Sequence, residues 1–205
     1  MEQRSKEWFE ARRGKFTASE VYKLMGIKGL GKTGESYIFE KAVEVVYGVD
    51  YDDNFTSFDM QRGIELEPVA FDQFAENHAY DFWDVQKSSV FTYEDYAGAS
   101  PDGLVNDDAV LEIKCPKPAK LFGLIKDGID AIDSQYFIQM QMQMMCANRT
   151  KAYFFNFAYY NDQPIWHEIE VPRCDKTIEK LKDRLKEAID LREYYVKELL
   201  EKQQF

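Results

Sequence analysis

Apolar positions along this chain recur with two different periods, and the switches between them mark out its elements. Near the N-terminus, residues 5–13 (SKEWFEARR) put Trp8 and Phe9 on one side of a short helix, capped by Ser5 and closed by Gly14. Thr17-Ala18-Ser19-Glu20 has the form of a capping box, which predicts a helix through Val21, Tyr22, Leu24 and Met25, stopped by Gly26. Glu35 to Tyr47 reads as a helix closed by Gly48, and 49–55 as an acidic turn. From Thr56 to Asn77, Met60, Ile64, Leu66, Val69, Ala70, Phe71 and Phe74 supply the apolar positions of a long helix, in which Pro68 suggests a break or a fresh start.

The period then falls to two. Asp84 to Tyr93 and Val110 to Cys115 read as strands on either side of the turn Pro101-Asp102-Gly103. Ala119 to Lys126 reads as a helix. Ser134 to Ala147 (SQYFIQMQMQMMCA) alternates Gln with Met in imitation of a strand. Its length and its good helix formers instead predict a helix, with Tyr136, Gln139 and Gln143 on one side. Thr150 to Tyr160 and Ile165 to Val171 form two strands around Asn161-Asp162-Gln163-Pro164. Asp175 to Lys202 is an amphipathic helix whose apolar spacing Arg192 interrupts. The pattern predicts an α/β fold in one domain over 1–205, a central mixed sheet flanked by helices, with the site at one sheet edge.

Composition narrows the class. A chain of 205 residues buries roughly 70% of its unfolded surface in a single core. No apolar run approaches the ~20 residues of a membrane span, and MEQRSKEWFEARR lacks the apolar stretch of a signal peptide. Cys115, Cys146 and Cys174 are odd in number and widely spaced, which predicts a reducing, cytoplasmic setting without disulfides. The net charge of −11 weighs mildly against a nucleic-acid partner, unless a basic cleft sits inside an acidic shell.

The chemistry concentrates between Gly98 and Pro116, GASPDGLVNDDAVLEIKCP. Strand alternation puts Glu112 and Lys114 on one face and Leu111 and Ile113 on the other, with Cys115 facing away from the acid and the lysine. Asp102 stands in the turn before them. A carboxylate, a gap, then carboxylate–apolar–lysine suits metal-dependent phosphodiester hydrolysis: a divalent ion activates water and neutralises the developing charge. Asp102 and Glu112 offer oxygen ligands, the Ile113 backbone carbonyl a further one, and Lys114 a group to orient water or phosphate. The bland alternative is a Glu–Lys pair on a half-exposed strand, worth little.

Other residues carry two readings each. Arg12 and Arg13 are a solvated helix end or an anion contact. Ser19 is first-turn filler or a phosphate ligand at a helix N-terminus. Glu67 is a surface acid or a third carboxylate for a metal cluster. Residues 26–34, GIKGLGKTG, match the Walker A spacing through Gly26, Gly31, Lys32 and Thr33. The strand that a P-loop requires before it is poor, so the stretch reads better as a basic loop in which Lys28 and Lys32 touch a phosphate backbone. His78 and His167 lie far from the acidic stretch and read as structural.

Asp102…Glu112-Ile113-Lys114, with Pro101 before it, resembles the PD-(D/E)xK nuclease motif. SPDGL followed by LEIKCP resembles the phage lambda exonuclease and viral recombinase family in particular. The likeness runs from Trp8 through the 150s; the last ~45 residues carry no transferable motif. The family's W-x-x-x-R-x-G-x-x-T-A-S segment matches Trp8, Arg12, Gly14, Thr17, Ala18 and Ser19. Its 5′-phosphate pocket then falls on Arg12, Ser19 and Ser100. R-G-x-x-x-E matches Arg62, Gly63 and Glu67, which implies that Glu67 is an active-site acid near the metal. Y-x-x-Q-x-Q matches Tyr136, Gln139 and Gln141, with Gln139 the active-site glutamine. The resemblance implies a restriction-endonuclease-like core and Mg²⁺ (with Mn²⁺ as a substitute), one or two ions per site. It implies 5′-to-3′ digestion of linear double-stranded DNA without ATP, releasing mononucleotides. A homotrimeric ring, a single-strand annealing partner and a phage- or prophage-encoded protein in the bacterial cytoplasm follow from the same resemblance. Arg13, Lys28 and Lys32 would then contact the DNA backbone in the channel.

Overall fold

The computed structural model describes residues 5–48, 58–81 and 83–202. The predicted acidic turn at 49–55 lies outside them. In order, the chain forms α1 (Lys6–Arg12), β1 (Phe16–Thr17), α2 (Gly31–Tyr47), α3 (Phe58–Asn77), β2 (Val85–Lys87), β3 (Phe91–Tyr93), β4 (Ala97–Ala99), β5 (Gly103–Val105) and β6 (Ala109–Lys114). It continues through α4 (Pro118–Asp127), α5 (Ser134–Ala147), β7 (Lys151–Tyr160), β8 (Gln163–Pro172) and α6 (Asp175–Lys202).

A five-stranded sheet of order β2-β5-β6-β7-β8 forms the centre. It is mixed: β6 and β7 run parallel and the other neighbours antiparallel. The apolar run AYFFNFA in β7 is buried throughout, as expected of a strand covered on both faces. On one face α3 lays Ala70 and Phe74 against Leu111, Ile113, Tyr153 and Phe155. On the other, Met140 and Met144 of α5 and Leu124 of α4 pack on Val110, Ala152 and Phe154. Asn161 and Asp162, both left-handed with φ of 49° and 59°, close β7 onto β8 as a two-residue hairpin. Pro164 thus falls inside β8, an edge strand, where its missing N–H costs no ladder bond.

A second, three-stranded sheet of order β1-β4-β3 lies beside α2, α6 and the far side of α5. Phe16, Tyr37, Met142, Leu181 and Leu185 form its core. Arg192, which breaks the apolar spacing of α6, donates to the Gly14 carbonyl at 2.5 Å. Gly14 has φ +66°, and a Cβ there would stand 2.4 Å from Val45 Cγ2. Only glycine suits that backbone and that approach.

Several expectations change. The capping box starts no α-helix: Thr17 belongs to β1, a single 3₁₀ turn follows at Val21–Leu24, and the Glu20 carboxylate pairs with Lys23 at 2.5 Å. Tertiary pairing of β1 with β4 wins over the local cap. A 3₁₀ turn, not a strand, therefore precedes the glycine-rich loop at 26–30, so it is not a P-loop, and the ATPase reading falls. Asp84–Tyr93 is not one strand but β2 and β3, which join different sheets. Residues 97–105, where the pattern predicts only the turn Pro101-Asp102-Gly103, contribute β4 and β5. Pro68 does not break α3; Ala70 and Phe74 bury the far half against the sheet and offset the lost hydrogen bond.

Candidate active site

β5 pairs with β6 only as far as Gly103 opposite Leu111. Beyond that point β6 continues alone on this side, and its backbone needs a partner. Asp102 supplies it, accepting the Ile113 N–H on Oδ2 at 2.7 Å while its own N–H donates to the Leu111 carbonyl at 2.9 Å. The N–H and C=O of a strand residue point to the same side, so the Ile113 carbonyl faces the Asp102 edge as well. The turn Pro101-Asp102-Gly103 can sit this close because a Cβ on Gly103 would meet the Gln86 oxygen at 3.1 Å and Leu111 Cδ2 at 3.2 Å. The site therefore stands not on an edge strand but at the end of β6, the middle strand of the sheet.

Glu112 and Lys114 share the face predicted by alternation. Lys114 Nζ donates to Glu112 Oε1 at 2.5 Å. This is no half-exposed surface pair: Glu112 is 1% exposed. Gln139 Nε2 donates to the same oxygen at 2.6 Å, and Gln143 Nε2 to Oε2 at 2.5 Å. Three donors thus hold a carboxylate that burial would otherwise disfavour. Gln143 was not among the sequence candidates, although helical spacing already put it on the side of Tyr136 and Gln139. Gln141 faces elsewhere, clamping the start of α6 through the Pro172 carbonyl and the Cys174 N–H.

Glu67 of α3 lines the same cleft as Lys114, Ile113 and Tyr136, a space of about 550 Å³. Burial, then the negative charges of Glu112 and Glu67, push the Asp102 carboxyl well above its ordinary range; Lys114 and the Ile113 N–H offset part of this. Burial works against the Lys114 ammonium, but Glu112 and Asp102 outweigh it and hold it above the ordinary lysine value. Burial first, then Glu67 and Asp102, raise the neighbouring Cys115 thiol to about 12. This concentration of negative oxygen suits a hard divalent cation. Among the described residues no three acidic, histidine or cysteine side chains already converge as a cluster. The donor set that fits is two carboxylates and the Ile113 carbonyl, with water completing the shell, as magnesium prefers.

Further cations also line the cleft, of which only Arg62 falls within a sequence motif. Arg62 donates to the Cys115 carbonyl at 3.2 Å and to Asp59 at 2.7 Å, tying α3 to the end of β6. Lys117 and Lys120 stand at its mouth, and the ammonium groups of Lys114 and Lys120 lie 5.1 and 5.2 Å from the Tyr136 ring centre. Arg62, Lys114, Lys117 and Lys120 thus share the cleft with Asp59, Glu67 and Asp133, which places cations beside the site within a protein of net charge −11.

A second cluster converges from three segments. Arg12 donates to Ser100 Oγ and to Ser19 Oγ, each at 3.3 Å, and its guanidinium stacks 3.9 Å from the Trp8 ring. Thr17 Oγ1 lies 3.3 Å from Ser19 Oγ. No carboxylate among the described residues forms an ion pair with Arg12, and burial lowers its guanidinium to about 10. A partly buried cation with no direct ion pair among the described residues, flanked by hydroxyls and with Glu20 and Glu44 acting on it from further off, suits an anion. Ser100 is two residues from Asp102.

Arg13 does not join this group. Its guanidinium caps the C-terminus of α2 through the Glu44 and Val45 carbonyls at 2.9 and 2.8 Å, a different helix end from the solvated end of α1 that the sequence suggested. Lys28 and Lys32 are exposed and make no hydrogen bond or ion pair among the described residues. Of the two histidines read as structural, His78 stacks on Trp83 at 3.7 Å and bonds Glu168 at 2.8 Å. All three cysteines are free. No helix among the described residues is long and apolar enough to cross a membrane.

The chain is similar to the crystal structure of an alkaline exonuclease (LHK-Exo) from Laribacter hongkongensis, with 30% identity and a TM-score of 0.82 over 97% of this chain and 98% of that one. The same enzyme in complex with dAMP matches at 29% identity and the same TM-score, with the same coverage of both chains. A phage related exonuclease from Haemophilus somnus 129PT shares the fold at 17% identity and a TM-score of 0.68, over 93% of this chain and 96% of that one. None of the curated proteins matches. The YqaJ-like viral recombinase domain matches residues 7–150, a span that holds the Arg12–Ser19–Ser100 cluster, the Asp102–Glu112–Lys114 site and its α5 glutamines, and the chain belongs to that family.

Proposed function

We propose that this protein is a magnesium-dependent, ATP-independent exonuclease that degrades linear double-stranded DNA from the 5′ end and releases 5′-mononucleotides. The observation that carries the reading is the meeting of Arg12 with both Ser19 and Ser100, two residues from the Asp102 that braces β6. One turn of chain joins an anion pocket to a carboxylate–lysine site. Family membership and the likeness to an alkaline exonuclease support a DNA exonuclease. The polarity rests on the pocket.

In this reading Arg12, Ser19 and Ser100 hold the terminal 5′-phosphate and fix which phosphodiester reaches β6. Asp102, Glu112 and the Ile113 carbonyl bind Mg²⁺, or Mn²⁺ in its place, one or two ions per site, with Glu67 beside them. The ion supplies an acidified water and neutralises the phosphate in the transition state. Lys114, held against Glu112, orients the attacking water and offsets phosphate charge. Gln139 keeps Glu112 in place and faces the reacting groups with it. The surviving 3′ strand goes to a single-strand annealing partner, and a homotrimeric ring would thread the duplex past Lys28 and Lys32 in the cytoplasm of a phage-bearing bacterium.

Three substrates test the proposal: linear duplex with 5′-phosphate, linear duplex with 5′-hydroxyl, and closed circular duplex, each with and without Mg²⁺. Rapid mononucleotide release from the first, slower release from the second, an intact circle and no digestion without the ion are expected. Cleavage of the circle would instead make this an endonuclease, and digestion in chelator would remove the metal from the mechanism.

A further inference from the structure

Gln143 lies one turn beyond Gln139 on α5 and is fully buried. The two oxygens of Glu112 are not held alike. Oε1 accepts from Lys114 at 2.5 Å and from Gln139 at 2.6 Å, whereas Oε2 has one partner among the described residues, Gln143 Nε2 at 2.5 Å. The terminal torsion of a glutamate is broad and lets the carboxylate rotate. One amide on each oxygen, both from the same rigid helix, stops that rotation.

The Gln143 carbonyl oxygen is buried without a hydrogen-bond partner. Turning the amide over would set that oxygen against Glu112 Oε2, so the carboxylate dictates the orientation and leaves the carbonyl unsatisfied. Packing does not ask for this arrangement. The neighbours Met140, Met142, Met144 and Met145 are all buried, and a methionine at 143 would fill similar space without an orphaned acceptor. The amide is kept for the donor it presents. Lys114 sits on a flexible stem and also serves water and phosphate in the proposed reaction; the two amides come from one helix.

We propose that Gln143 is a positioning residue that locks the Glu112 carboxylate in the orientation in which it binds the divalent ion. This rests on the metal-dependent reading above. Gln143 is fully buried and does not line the cleft, so it acts through Glu112 alone.

The test measures Mn²⁺ binding by isothermal titration calorimetry without DNA, in wild type and in Gln143→Met, together with thermal melting and with kcat and KM on 5′-phosphorylated duplex. Outer-shell partners of metal ligands typically change affinity by about 10–100-fold, and a weakening of that size is expected, with a lower kcat, an unchanged KM for DNA and an equal or higher Tm. An Mn²⁺ affinity within twofold of wild type, whether or not Tm falls, would show a merely structural amide and overturn the inference. Should Gln143→Met not fold, Gln143→Asn keeps the amide but withdraws it by one methylene; the same weakening supports the inference and wild-type affinity overturns it. A wild-type protein that binds no Mn²⁺ overturns the metal-dependent reading, and this inference with it. Wild-type binding with an equally avid variant sinks the inference alone.

Discussion

The guanidinium of Arg12 lies 3.3 Å from the hydroxyl of Ser100, 88 residues further along the chain. The short helix α1 that carries Arg12 has no buried residue and would not persist alone. It is pinned at its end, where the Gly14 N–H donates to Glu44 of α2 at 2.8 Å and the Gly14 carbonyl accepts from Arg192 of α6. The Arg12–Ser19–Ser100 cluster therefore depends on elements that contribute no side chain to it.

Replacing Arg12 or Ser100 with alanine should remove the preference for phosphorylated ends. A hydrogen bond to a charged group is worth roughly 1.5–3 kcal/mol, so digestion of 5′-phosphate duplex should fall by about 10–100-fold while 5′-hydroxyl duplex changes little. Initial rates on the two duplexes, measured side by side, decide this; equal losses on both would take the phosphate out of the pocket.

Asp102→Ala and Lys114→Ala should each abolish measurable digestion, with losses of at least ~10²–10⁴-fold expected for groups that bind the ion or serve the transferring phosphate. Circular dichroism should show a native fold in both. Either purified variant retaining wild-type rates would end the assignment of these residues.

Asp102 also makes stability depend on pH. Its carboxyl is raised in the folded protein above the ordinary 3.8, by burial first and then by Glu112 and Glu67. The folded state thus holds a proton that the unfolded state has released, and stability falls as pH rises from the ordinary aspartate value through the folded one. Asp102→Asn keeps an acceptor for the Ile113 N–H but cannot ionise. In metal-free buffer its melting temperature should rise relative to wild type as pH climbs above the ordinary aspartate range, and the gain should vanish below that range. A gain that stays constant with pH would show that titration of Asp102 is not its origin.

Gly14→Ala should destabilise the fold by about 2–4 kcal/mol, because the left-handed backbone and the 2.4 Å approach to Val45 Cγ2 both oppose a Cβ. The variant should also lose end preference, since α1 would shift and carry Arg12 with it. A wild-type melting temperature would show that the Arg192 and Glu44 anchors hold α1 unaided.

Periodicity made β6 and α5 legible. Alternation over AVLEIK put Glu112 and Lys114 on one face, and the length of SQYFIQMQMQMMCA chose helix over strand. Strands β4 and β5 were not legible, because AGA and GLV are too short to show an alternation and their pairing partners lie elsewhere in the chain. The capping box at Thr17–Glu20 misled for the complementary reason. Its local signal was sound, but the pairing of Phe16 and Thr17 with Ala97 and Gly98 overrode it.

By itself the sequence determined the chemical types at the site and their spacing: an acid in a turn, an acid and a lysine sharing a strand face, and glutamines at helical spacing. Those follow from periods of two and 3.6, which are properties of the backbone. Tertiary structure alone decided that β5 stops short so that Asp102 can brace Ile113, that Glu112 takes Gln143 as well as Gln139, that Arg13 caps α2 while Arg12 turns to Ser100, and that cations line the cleft of an acidic chain. Each joins residues brought together by packing rather than by local conformation, and a hydrogen bond over 2.5–3.3 Å is set by the positions of whole elements.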